Sequence, residues 1–199
     1  MGAAQFGTIG LSTWQANLMK LHLGCGRRFI PGFVHIDVVD HPHVDHVSSI
    51  DNLSFLQDGS VELIYNCHVL EHFKRREVAR VLGEWYRVLA PGGRLRISVP
   101  DFAALCEVYT RTRDLGLVIG PIFGRQDYLY NIHYNLFDFD SLKTELERAG
   151  FLDVHRYDWR ETEHAHIDDY SQAYIPHMDK ERGVLVSLNI ECLRPAART

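Results

Sequence analysis

The stretch that decides the fold is residues 20–37, KLHLGCGRRFIPGFVHID. Leu21 and Leu23 alternate with Lys20 and His22, Gly24-Cys25-Gly26 breaks the run, and a second short apolar run ends on Asp37. This order reads as a buried strand, a turn where backbone can approach a ligand closely, and a second strand with a carboxylate at its end. In a parallel α/β sheet, nucleotide-like ligands sit in the crevice beyond the strand carboxyl ends. A carboxylate there is placed to accept both hydroxyl protons of a ribose. By itself the Gly-x-Gly turn also fits an ordinary tight turn. The dinucleotide fingerprint is incomplete, because Phe29 stands where the third glycine belongs. Pro31-Gly32 interrupts the interval and Asp37 arrives too early for a full first helix, so a single turn at most is expected.

The rest of the chain sets the bounds. Its 199 residues, 46% hydrophobic and 24% charged, suit one globular domain with an adequate core. A net charge of −5 argues against a nucleic-acid partner, which needs a clustered basic surface, although 12 histidines weaken that argument in mild acid. No apolar run approaches the ~20 residues of a membrane span. The start, MGAAQFGTIGLSTWQ, lacks the basic opening and continuous apolar core of a signal peptide. Residues 1–19 are read as a leader ahead of a single domain over 20–199. Cys25, Cys67, Cys106 and Cys192 lack CxxC spacing, so reduced thiols in a cytoplasmic protein are expected.

After Asp37, His41, His43 and His46 crowd between Asp40 and Asp45. No metal-ligand spacing supports a metal there, and none is expected; a solvated loop leading into a short strand over 44–48 is the reading. Residues 61–65, VELIY, suit a buried strand, which ends in NCHVLEHF. Next comes an amphipathic helix with Val78, Val81, Leu82, Trp85 and Leu89 on one face, stopped by Pro91-Gly92-Gly93. A strand over 94–99 leads to Asp101, an expected helix N-cap. Residues 115–139 are Gly- and aromatic-rich and read as an insert over the site. A helix over 142–150, capped by Asp140-Ser141 and ending at Gly150, a strand from Phe151, a polar excursion over 158–183 and a last apolar run over 184–193 complete the chain. Alternating strands and helices imply an α/β fold with a mainly parallel sheet.

Four stretches, LHLGCG, the Asp37 acid, DGSVELIYNCHVLEHF and EWYRVLAPGGRLRISVPD, in this order resemble the class I S-adenosylmethionine-dependent methyltransferases, most closely the methyltransferase type 11 group. The resemblance covers roughly residues 20–101, and AGF at 149–151 recurs in that group before its sixth strand. It implies a Rossmann-like seven-stranded sheet of order 3-2-1-4-5-7-6 with strand 7 antiparallel, here with a shortened first helix and lid-like inserts at 115–139 and 158–183. It implies S-adenosylmethionine as cofactor. Gly24, Cys25 and Gly26 would pass beneath its methionine part, Asp37 would bind the ribose diol, and Val38 would pack on the adenine. Where the group usually offers an acid to the adenine amino group, this chain has Ser49 and Ile50, with Asp51 displaced and a backbone contact as the substitute. Asn66, Cys67 and His68 would flank the amino-acid end and the methyl group. The LEH segment, with Glu71 and His72, shapes the turn into the next helix in the group, so His72 reads as structural.

The sulfonium makes the methyl group electrophilic, leaving the protein to align an acceptor and, for a hydroxyl, to remove a proton. His133, in NIHYNLF, is the candidate catalytic residue, as acceptor contact or base, against a structural hydrogen bond within the lid. Tyr128, Tyr130 and Tyr134 could line an acceptor pocket. The expected partner is a small-molecule or sugar acceptor methylated on oxygen or nitrogen, without nucleic acid or membrane, and with a homodimer left open. A non-catalytic S-adenosylmethionine-binding protein is the alternative. A nicotinamide-dependent oxidoreductase is disfavoured by the missing glycine and short first helix.

Overall fold

The computed structural model describes residues 18–196, so nearly all of the expected leader lies outside the described residues. The chain runs through β1 (Met19–Leu23), β2 (Val34–Asp37), β3 (His46–Val47), β4 (Val61–Cys67), α1 (Val78–Val88) and β5 (Leu89–Pro100). It continues with α2 (Phe102–Thr112), α3 (Gly116–Phe123), α4 (Phe139–Arg148) and β6 (Leu152–Arg156), and ends with β7 (Tyr174–Ile175), β8 (Val184–Leu185) and β9 (Ser187–Leu193). Seven strands form one sheet in the order β3-β2-β1-β4-β5-β9-β6, and β7 pairs with β8 as a separate ribbon. Pairings from β3 through β5 are parallel, while β9 runs antiparallel to both β5 and β6. This is the order and the reversed strand implied by the resemblance. The chain leaves β1 in one direction to β2 and β3, then returns to β4 on the other side of β1. That reversal opens a crevice between the carboxyl ends of β1 and β4.

One face of the sheet is covered by helices. Val78, Val81, Leu82, Trp85 and Val88 of α1 enter a core with Leu21, Ile64, Leu95 and Ile97 of the strands and Leu142 and Leu146 of α4. Leu89, expected at the end of that helical stripe, is instead the first residue of β5, because extended backbone begins there. Arg194 stacks over the Tyr86 ring and donates to the carbonyls of Tyr86 and Arg87, at 2.9 and 3.0 Å, and to that of Leu89. It thereby satisfies the last carbonyls of α1, which have no partner within the helix.

Over β1, β2 and β4 the opposite face has no helix among the described residues. Residues 24–33 form turns, with Arg28 N–H bonded to the Cys25 carbonyl and Phe33 N–H to that of Ile30. The expected single turn between glycines and acid is thus as much as the chain makes there. Ile30, Phe33, Leu63 and Tyr65 form a small core, with Ile167 packed against it. Around them runs a ladder of rings: Phe29 stacks on His35, His35 lies edge-on to His22, and Tyr65 sits between His22 and His164, at centroid distances of 4.2 to 5.5 Å. His43, from the dense loop, packs edge-on against His35 at 5.4 Å. Ile30 N–H donates to His35 Nε2, and Asp45 holds the other ring nitrogen. His43 and His35 therefore help pack this face. Among the described residues, no helix is long and apolar enough to cross a membrane.

Candidate active site

The glycine turn after β1 is built for a close approach. Gly24 has φ +67°, and a Cβ there would lie 2.3 Å from Val69 Cγ2. Gly26 has φ +53° with no heavy atom within 4 Å of where a Cβ would stand, so open space lies over the turn. Both are conformations that side-chain-bearing residues rarely adopt. The Asp37 carboxylate is held from below: Oδ2 accepts from Gly26 N–H and Oδ1 from Val39 N–H, each at 2.8 Å. Each carboxylate oxygen has two lone pairs, so one on each remains for a hydroxyl. Val38 beside it is exposed. Ser49 Oγ bonds Asp51, which pairs with Arg80. Ile50 turns into the main core, and its carbonyl accepts from Trp85 Nε1 at 2.8 Å.

Across the crevice, Asn66 is buried, with Nδ2 donating to the Leu23 carbonyl at 3.0 Å and Oδ1 unpartnered among the described residues. Burial pushes the Cys67 thiol well above its ordinary range, and burial with the nearby Asp37 charge pushes Cys25 up to about 12. Both thiols therefore stay protonated and serve as packing rather than as nucleophiles. His68 has φ +54°, an uncommon left-handed conformation for a residue with a side chain. Its N–H bonds the Ser98 carbonyl, and its Nε2 meets Ser187 Oγ at 3.0 Å. Burial, reinforced by His133 and His72, lowers its pKa to about 3.

Beyond His68 lies Glu71, fully buried with neither carboxylate oxygen hydrogen-bonded among the described residues. Burial raises its pKa to about 8. His68 Nδ1 stands 3.6 Å and His133 Nε2 3.9 Å from Glu71 Oε1, and the His72 and His133 rings meet edge to face at 4.6 Å. Burial, with His133 adjacent, pulls His72 down to about 4, and burial lowers His133 as well. The insert that carries His133 is fastened to this turn: Tyr134 and Asn135 N–H bond the Glu71 carbonyl, and Asn135 Nδ2 bonds that of Phe73.

Two residues that the sequence reading passed over also face the crevice. Arg28 donates to the Asp168 carbonyl at 3.1 Å and lies over the Tyr170 ring, whose other neighbour is His68 at 5.3 Å. Tyr170 is held there by Asp169, which accepts from Tyr65 Oη at 2.6 Å. Nothing local in the sequence marks Tyr170, since it reaches the site from more than a hundred residues downstream of the glycine turn. Burial raises the Tyr128 hydroxyl pKa, and Asp37, Asp127 and Tyr170 add to it. Tyr130 and Tyr134 are exposed.

Comparison with known proteins adds to this geometry. Residues 33–97 match the model of a family described as a methyltransferase domain. No curated protein matches the chain. Among solved structures, a Burkholderia thailandensis 1,6-didemethyltoxoflavin N1-methyltransferase, bound to 1,6-didemethyltoxoflavin and S-adenosylhomocysteine, aligns at a TM-score of 0.56. It shares 16% identity over 89% of this chain and 71% of its own. An Archaeoglobus fulgidus S-adenosylmethionine-dependent methyltransferase also aligns at 0.56, with 18% identity over 89% and 86%. A chain of the Haloferax volcanii complex containing the Trm112 methyltransferase activator aligns at 0.53, with 12% identity over 91% and 83%. Residues 33–97 are thus similar to a methyltransferase domain, and the sheet order is the fold shared with these aligned structures.

Proposed function

We propose that the protein transfers a methyl group from S-adenosylmethionine to oxygen or nitrogen of a small-molecule or sugar acceptor. The observation that carries the reading is the pairing of an open glycine turn with Asp37, whose carboxylate is fixed by Gly26 and Val39 N–H yet keeps acceptor capacity. Gly24, Cys25 and Gly26 would hold the methionine part and Asp37 the ribose diol. Val38 would pack on the adenine, with Ser49 and Ile50 at its edge. Asn66, Cys67 and His68 would bound the reacting end, where the orphaned Asn66 Oδ1 offers an acceptor to the cofactor's ammonium. When bound, the cofactor supplies an activated methyl group. The chain's own work is to align the acceptor and exclude water. His133 would contact the acceptor, with Tyr128 and Tyr170 closing the crevice above. A cytoplasmic single domain over 20–199 is part of the same reading, consistent with four free cysteines.

The test is transfer of labelled methyl from S-adenosylmethionine to a panel of hydroxylated and aminated small molecules and sugars. The expected result is label on at least one acceptor class, lost in Asp37→Ala. Binding of S-adenosylmethionine with no label on any acceptor would favour the non-catalytic alternative.

A further inference from the structure

We propose that Glu71, His72 and His133 form a binding site for a divalent first-row transition-metal ion such as zinc, beside the methyl-transfer position. One atom of each residue offers itself as ligand, and the three lie within 4.8 Å of one another. A tetrahedral zinc with bonds of ~2.1 Å separates its ligand atoms by ~3.4 Å, a gap that small side-chain rotations close.

Three further observations point to an ion. The Glu71 carboxylate is fully buried, and neither oxygen makes a hydrogen bond of normal geometry among the described residues. A carboxylate in that position is costly unless it is paired or ligates a metal. Next, His72 Nδ1 lies 3.1 Å from the Ile132 carbonyl and His133 Nδ1 lies 2.8 Å from the Pro121 carbonyl. A carbonyl only accepts, so each Nδ1 carries the proton and His133 Nε2 is left with its lone pair, while the His72 ring also lies near the His68 carbonyl. Orientation of a ligating imidazole by its other N–H is how metal-bound histidines are usually fixed. Finally, His68 Nδ1 stands 3.6 Å from Glu71 Oε1, with its own Nε2 anchored on Ser187, as a further nitrogen ligand. Two or three imidazoles with one carboxylate suit ions from manganese to zinc, whereas magnesium and calcium favour oxygen ligands.

This revises the reading from sequence, which expected no metal and looked for one only at residues 41–46. Two ligands come from the turn after β4 and the third from an insert some sixty residues on, a spacing that matches no short motif. The metal site stands without the methyl-transfer reading. The role that follows, holding an acceptor oxygen or nitrogen at an open metal position in place of a direct contact to His133, rests on that reading.

The experiment uses the full chain, stripped with a chelator and titrated with Co²⁺, then with Zn²⁺ in competition. One Co²⁺ per chain is expected, with visible absorption bands, a rise in melting temperature, and displacement by Zn²⁺. Glu71→Gln and His133→Asn should each weaken binding by ~100-fold or more, as loss of a direct ligand demands. A His41→Ala/His46→Ala double variant, which removes loop histidines, should bind as tightly as the parent. No saturable binding to the parent chain would overturn the proposal. So would binding that survives both ligand substitutions or follows the loop variant. Should Glu71→Gln fail to fold, His133→Asn alone decides, since that residue lies in the insert outside the sheet core. Metal bound without methyl transfer to any acceptor would count against the proposed function and leave the metal site standing.

Discussion

The two faces of the sheet are built by different means. On one, α1 and α4 lay periodic apolar stripes against the strands, with Trp85 at the centre. On the other, over β1 and β4, loops, aromatic rings and buried histidines replace a helix. The contrast separates two tasks. The helical face excludes water and carries stability, while the loop face gives the chain close backbone turns, Arg28 and Tyr170 at the mouth of the crevice. On that face Tyr65 Oη and Ile30 N–H are paired, while His22 Nδ1, His43 Nε2 and His164 Nδ1 are buried without a partner among the described residues, so that face should be sensitive to hydrogen-bond loss and to pH.

Trp85→Ala should break the helical face hardest. Loss of a fully buried indole, with its bond to the Ile50 carbonyl, should cost ~3–5 kcal/mol in urea unfolding of the full chain. A loss under ~1 kcal/mol would mean that this face is not the main source of stability. On the loop face, Tyr65→Phe removes the bond to Asp169 and should cost ~1–3 kcal/mol, with Tyr170 released from its place. An unchanged midpoint would show that the 158–172 segment docks by other means.

The third prediction concerns acid. Burial, with His35, His164, His43 and Arg28 nearby, lowers the His22 pKa well below its ordinary value, so the folded state holds it neutral. The unfolded chain takes up a proton below pH ~6.5 that the folded chain does not, so this contribution is constant above that pH and is lost below it. For His22 the loss should approach ~1.4 kcal/mol per pH unit well below 6.5. His22→Gln should flatten the acid limb by one group; identical limbs in parent and variant would contradict the burial argument. The smallest effect belongs to the exposed surface of α4. Lys143→Ala removes a 3.8 Å pair with Glu147 and should change stability by no more than ~0.5 kcal/mol.

The two faces also differ in how far the sequence revealed them. Helical period placed Val78, Val81, Leu82 and Trp85 on one face, and strand alternation with glycine breaks gave the sheet. Pro31-Gly32 and the early Asp37 announced the missing first helix. The ring ladder was hidden, because His22, His35 and His43 lie on separate strands and loops and meet only through pairing across the sheet. Asp37, Gly24 and Gly26 were legible because turn and acid sit within one βxβ unit. Tyr170, Arg28 and the Glu71–His72–His133 cluster were not, because long-range docking of segments without periodicity brings them together. His72, read as a turn former, makes an edge-to-face contact with His133 that no local pattern foretells.

The central claim is that the open turn and Asp37 bind the nucleoside of S-adenosylmethionine. Calorimetric titration of the parent chain and Asp37→Ala with S-adenosylhomocysteine, and of the parent with NAD, tests it most directly. Loss of two charge-assisted hydrogen bonds should weaken binding by ~2–4 kcal/mol, roughly 30- to 1,000-fold, in a variant whose circular dichroism matches the parent. NAD should not bind. Unchanged affinity in a folded Asp37→Ala chain, or equal affinity of the parent for NAD, would contradict the account.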